Sequence, residues 1–164
     1  MMHSEEGIMN ILKRKKKVMN DKEYFMKEAL KEAKNAYKKL EVPVGVVIVK
    51  DNEIIARGYN QKEMKNNPIK HAEIIAIKKA CRKLKNWHLD ECTLYTTLEP
   101  CIMCIGAITQ ARIKKIIYIS ENSKFGFTNY FKNNKITNHK LIIEKYPNNK
   151  EYEEILINFF RSKR

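Results

Sequence analysis

Hydrophobic positions in this chain fall into runs of two periods. Met26, Leu30, Ala33, Tyr37 and Leu40 recur at helical spacing and predict a first helix over 21–40, with one stripe packed on a sheet. Asn20 followed by Glu23 supplies an N-cap with an acid three residues on. Val42-Pro43-Val44-Gly45 then breaks the helix. Two short apolar runs, 46–49 and 54–57, flank the turn residues Lys50-Asp51-Asn52-Glu53 and predict a hairpin. Its first strand is apolar at every position, as a strand covered on both faces would be.

A polar loop through Asn66-Asn67-Pro68 leads to a second helix over 71–84, expected to bury Ile74, Ile77, Cys81 and Leu84. A strand over 93–97 precedes a helix over 101–110 that is apolar nearly all round and therefore expected to be deeply buried. A fourth strand over 115–119 is followed by a polar loop, 120–138, interrupted by Phe125, Phe127, Tyr130 and Phe131. A fifth strand over 141–143 and an amphipathic last helix bearing Tyr152, Ile155, Leu156, Phe159 and Phe160 complete the chain. A hairpin followed by alternating helix and strand predicts a three-layer α/β/α fold around a mixed five-stranded sheet.

The chain has 164 residues, 43% of them apolar, enough for one domain with a substantial core and too many for a disordered chain. That domain is expected over 21–164, behind a basic, flexible extension over 1–20 that carries Lys13-Arg14-Lys15-Lys16-Lys17. A net charge of +14 suits a polyanionic partner, although a Lys-rich composition produces the same excess. No apolar run approaches the ~20 residues of a bilayer span, and no leader pattern opens the chain. A cytoplasmic protein without a membrane partner is expected. Cys81 and Cys92 read as small core residues, and no spaced cysteine framework is present.

The other two cysteines carry chemistry. Cys101 and Cys104 follow Pro100 and fall on one face of the first turn of a helix, where the helix dipole favours thiolates. Alone, a C-x-x-C pair is equally a structural half-site or a redox pair. His71 adds a third zinc ligand and leaves one position open, the mark of a catalytic site. Residues two apart on a helix point about 200° apart, so His71 and Glu73 converge only at a metal lying off the helix N-terminus. Glu73 then reaches a metal-bound water as general base and acid.

With these residues the chain resembles the bacterial tRNA-specific adenosine deaminases of the cytidine deaminase-like superfamily. The likeness covers about residues 22–164. It rests on Glu41-Val42-Pro43-Val44-Gly45, His71-Ala72-Glu73, Leu98-Glu99-Pro100-Cys101 through Cys104, and Asn158-Phe159-Phe160-Arg161. The resemblance implies a homodimer that converts the wobble adenosine of a tRNA anticodon stem-loop to inosine, with one Zn2+ per chain. It implies substrate contacts at Asn60, Val42, Pro43 and Ala72, with RNA contacts at Lys124, Phe159, Phe160 and Arg161. Asn60 is also a plausible loop cap, Val42 and Pro43 plain strand-entry packing, and Phe159 and Phe160 part of their helix's core stripe.

The sequence departs from the family at Asn122-Ser123-Lys124-Phe125-Gly126, where an Asp-x-Lys-Thr-Gly segment is usual, and at Ile69-Lys70, where a small pair is usual. The alternatives are a guanine or other free-base or nucleotide deaminase with the same zinc core, and a non-enzymatic RNA-binding module with structural zinc.

Overall fold

The computed structural model describes residues 20–131 and 139–163, together with Glu5 and Gly7. The expected basic extension lies almost wholly outside the described residues. In chain order the elements are α1 (Asp21–Lys38), β1 (Gly45–Lys50), β2 (Glu53–Tyr59), α2 (Ala72–Leu84), β3 (Thr93–Leu98), α3 (Ile102–Gln110), β4 (Lys115–Ser120), a 3-10 turn (Phe127–Asn129), β5 (Ile142–Lys145) and α4 (Lys150–Ser162).

The strands form one five-stranded sheet in the order β2-β1-β3-β4-β5. β1 pairs antiparallel with both β2 and β3, whereas β3–β4 and β4–β5 are parallel. Each face of the sheet has its own core. Ala72, Ala76 and Ala80 of α2 join Ile105 and Ile108 of α3 over Val46, Ile48, Leu94 and Ile116. On the other face, Phe25, Met26, Ala29 and Leu30 of α1 and Tyr152 of α4 cover Val47, Tyr95, Ile117 and Ile119. Successive residues of one strand thus serve opposite cores, which explains the unbroken apolar run of β1. The α/β/α sandwich expected from the alternation is the fold observed.

Three local expectations are corrected. α1 stops at Lys38, and Leu40, expected in its buried stripe, is 72% exposed. Leu40 instead takes a left-handed conformation (φ 62°) while the Glu41 amide returns to the Ala36 carbonyl and the Leu40 amide to Tyr37. That six-to-one, five-to-two pair is a Schellman ending, which usually uses glycine. Lys85 and Arg112 end α2 and α3 in the same way, at φ 51° and 60°.

α2 is rotated from its expected face. Its fully covered residues are Ala72, Glu73, Ile75, Ala76 and Ala80, with Ile74, Ile77, Cys81 and Leu84 half-buried at the flanks. The cause is close approach of helix to sheet: a Cβ on Gly58 of β2 would stand 3.0 Å from the Ala76 amide nitrogen and collide with the Ala72 carbonyl. Only a ridge of alanines fits there. α3, expected to be buried all round, covers Cys104, Ile105, Ile108 and Thr109 but exposes Ile102 (44%) and Gly106.

Candidate active site

Two helices begin at the same point. His71 is the N-cap of α2 and Cys101 the N-cap of α3, both in extended conformation, and neither side chain caps its own helix. Both turn instead toward a shared center. His71 Nδ1 lies 3.7 Å from Cys101 Sγ and 3.6 Å from Cys104 Sγ, and the three donor atoms all fall within 4.8 Å of one another. A tetrahedral ion with zinc-like bond lengths gives nitrogen–sulfur separations of about 3.6 Å. The donor set therefore fits a zinc-like cation without rearrangement. Pro100 immediately precedes the cap, and the helix proper starts at Ile102.

The first-turn amides of both helices are short of intrahelical partners, and the positive ends of both dipoles favour anions here. The Cys101 thiol is pulled down to about 4, chiefly by its hydrogen bond with Cys104 and, against the cost of burial, by His71. That same pairing and burial push Cys104 up, and the bond to Cys101 pushes His71 up. The three groups thus hold one another in a shared proton balance that a cation would resolve.

Glu73 sits one residue inside α2, 4% exposed, with its carboxyl raised above the ordinary range chiefly by burial. A hydrogen bond with the Cys104 side chain opposes that rise and ties Glu73 to the ligand group. The position of His71 on the cap, outside the helix proper, is what lets residues two apart meet.

Asn60 follows β2 and is 7% exposed. Its Nδ2 faces Glu41 Oε2 at 3.5 Å, and its Oδ1 is buried without a partner. Val42 is half-buried and Pro43 buried, at the entry to β1. Ala72 is fully buried beside His71. Lys124 is exposed on the loop after β4. Phe159 turns inward at 5% exposure whereas Phe160 is 51% exposed and Arg161 is exposed, so of the two rings only Phe160 presents a surface.

Two buried acids organise the segments around the site. Glu41 is fully buried; besides facing Asn60, it accepts the Met64 amide at 2.6 Å, which ties down the loop that leads to His71. Glu99, 2% exposed, accepts the Thr128 amide at 3.1 Å and its hydroxyl at 2.9 Å. A Cβ on Gly126 would strike the Glu99 carboxylate, so a glycine is required where the loop crosses it. Gly126 also pairs backbone to backbone with Cys101. Both acids lie in the runs that carry the family resemblance, and each sits in an otherwise apolar or proline-bearing stretch.

A model of the MafB19-like deaminase family matches residues 19–164. The chain is 46% identical over 146 residues to the tRNA-specific adenosine deaminase of Aquifex aeolicus (strain VF5), an overlap of 87% of this chain and 96% of that one. It is similar to a chain solved in work on A-to-I editing by tRNA:A34 deaminases at the wobble position of transfer RNA, at 37% identity and a TM-score of 0.71 over 75% of this chain and 97% of that chain. It is also similar to the guanine deaminase of Bacillus subtilis, at 36% identity and a TM-score of 0.61 over 85% of this chain and 93% of that chain.

Proposed function

Since the chain belongs to the MafB19-like deaminase family and to the tRNA-specific adenosine deaminases, we propose that it hydrolyses the wobble adenosine of a tRNA anticodon to inosine and releases ammonia. The observation that carries this reading is Glu73, a buried acid lodged against the His71, Cys101 and Cys104 donors where two helix N-termini converge. Those three residues would hold one Zn2+. Such an ion supplies a nucleophilic oxygen at neutral pH and stabilises negative charge on it.

Every other part of the reaction falls to the chain. Glu73 takes the proton from the attacking oxygen and delivers protons first to the ring nitrogen and then to the departing amine. Burial raises its carboxyl, which makes it the stronger proton acceptor that the first transfer needs. Asn60, with a free buried oxygen, is the candidate partner for a donor on the nucleoside. Val42 and Pro43 are the candidate walls of the base pocket, and the backbone N–H groups near Cys101 and Ala72 are the candidate stabilisers of developing charge. Reaching C6 of adenine requires an unstacked base, which an anticodon loop yields more cheaply than a duplex. Lys124, Phe160 and Arg161 are the candidate RNA contacts around it.

The unit of action in this proposal is a homodimer in the cytoplasm, with residues 21–164 as the single deaminase domain. The exposed face of α3 at Ile102 and Gly106 is apolar and suits a second copy of the chain. Among the described residues no helix is long and apolar enough to cross a membrane.

Purified protein incubated with an anticodon stem-loop bearing a wobble adenosine should produce inosine. Inert RNA together with turnover of free guanine would instead support the second reading, guanine deamination, which the 36% identity to the Bacillus subtilis enzyme favours.

A further inference from the structure

Phe125 is a large apolar side chain left 65% exposed on a loop that is otherwise tightly tied. Its amide donates to Asn122 Oδ1 at 3.2 Å, the Gly126 amide to the Asn122 carbonyl at 2.9 Å, and Asn129 Nδ2 to the carbonyls of Asn122 and Ser123. On the far side, the Phe127 amide donates to the Pro100 carbonyl at 3.0 Å, and Glu99 holds Thr128. The backbone that carries the ring is thus held in place, so contact needs to order only the side chain itself.

That backbone is fastened to the catalytic center. Gly126 bridges Cys101, and bridge partners lie about 5 Å apart at Cα, with one further residue adding about 3.8 Å. The Cα of Phe125 therefore stands within about 9 Å of that of Cys101, so the ring is carried on backbone next to a candidate metal ligand. On the same loop Ser123, Lys124 and Thr128 are exposed and polar. Tyr130 is also exposed further along this loop, and an exposed aromatic ring next to a cation suits a nucleobase.

We propose that Phe125 is a stacking platform for the base next to the reacting nucleotide, and so a determinant of RNA affinity and flanking-sequence preference. This rests on the RNA deaminase reading above. The tied loop presents the ring face to a base already splayed by extrusion of its neighbour, and Lys124 meets the adjoining phosphate.

The test uses anticodon stem-loops in which 2-aminopurine replaces the nucleotide on either side of the wobble adenosine. Binding to the unmodified protein should quench one of the two probes. Phe125→Ala should lose that quench and bind about 5- to 150-fold more weakly, the range for removing one base–aromatic stack. Phe125→Trp should restore both. Unchanged quenching and affinity in Phe125→Ala overturn the stacking role, even if inosine still forms. A drop in the mass of Phe125→Ala by light scattering also overturns it, by assigning the ring to a subunit contact. Phe125-dependent quenching without inosine would keep the platform and remove the reaction. Failure of the unmodified protein to bind either stem-loop removes both.

Discussion

The hydroxyl of Tyr152 donates to the carbonyl oxygen of Pro43 at 2.8 Å, across 109 residues of sequence. Tyr152 is fully buried on α4, and burial raises its pKa so that the phenol stays a donor. Nearby, Thr97 Oγ1 of β3 accepts the Gly45 amide at 3.1 Å. The Pro43–Gly45 segment, a candidate wall of the base pocket, is therefore held by side chains from two other elements. Tyr152→Phe leaves a buried carbonyl without its donor and should cost about 1–3 kcal/mol in urea unfolding. It should also raise KM for the stem-loop, since the wall is released. Equal stability and KM would mean that the bond holds nothing in place.

Glu73→Gln keeps the shape of the side chain but cannot accept a proton. Turnover should fall by about 10²–10⁴-fold while zinc content and the unfolding midpoint stay near those of the parent. Undiminished deamination would remove Glu73 from the proton path.

Loss of a sulfur should act on the metal first. Cys101→Ala and Cys104→Ala should each bring zinc from about one per chain to near zero by elemental analysis, because two ligands do not make a site. Equal zinc in either variant would reject the ligand set.

Acid stability should trace to Glu28. Burial opposes its ionisation, yet Arg57 at 3.1 Å and Lys31 at 3.3 Å hold its carboxyl below the ordinary 4.5. A carboxyl depressed in the folded state adds stability above its unfolded pKa and loses it as pH falls through the folded value. Glu144, between Lys22 and Lys115, is shifted in the same direction. Stability should accordingly decline as pH drops below about 4.5, the carboxylate reference region. Glu28→Gln should lower stability at pH 7 and flatten that decline. A variant with an unaltered acid slope would show that the pair contributes nothing there.

Leu40 pays for a left-handed backbone while gaining almost no burial. Leu40→Gly should stabilise the protein by about 0.5–1 kcal/mol, since glycine adopts that conformation without steric cost. A fall in the melting midpoint would show that its side chain matters to the ending of α1.

How far the sequence carries can be judged from particular residues. The order of strands and helices was legible because the unbroken apolar run of β1 and the helical spacing of the amphipathic segments are local signals. The face of α2 was not, because the alanines that bury it owe their place to Gly58 on a different strand. The end of α1 was misplaced because a Schellman stop built on Leu40 lacks the usual glycine signal.

Residue types and spacing by themselves picked out the candidate donors His71, Cys101 and Cys104, the companion acid Glu73, and the order of layers around the sheet. They could do so because ligand chemistry and hydrophobic period are local properties. Only the tertiary structure decided that α2 and α3 aim their N-termini at one point, that Phe159 turns in while Phe160 turns out, and that Glu41, Glu99 and Tyr152 pin the segments around the site. Those outcomes depend on contacts between elements far apart in the chain, and no short-range pattern encodes a partner's position.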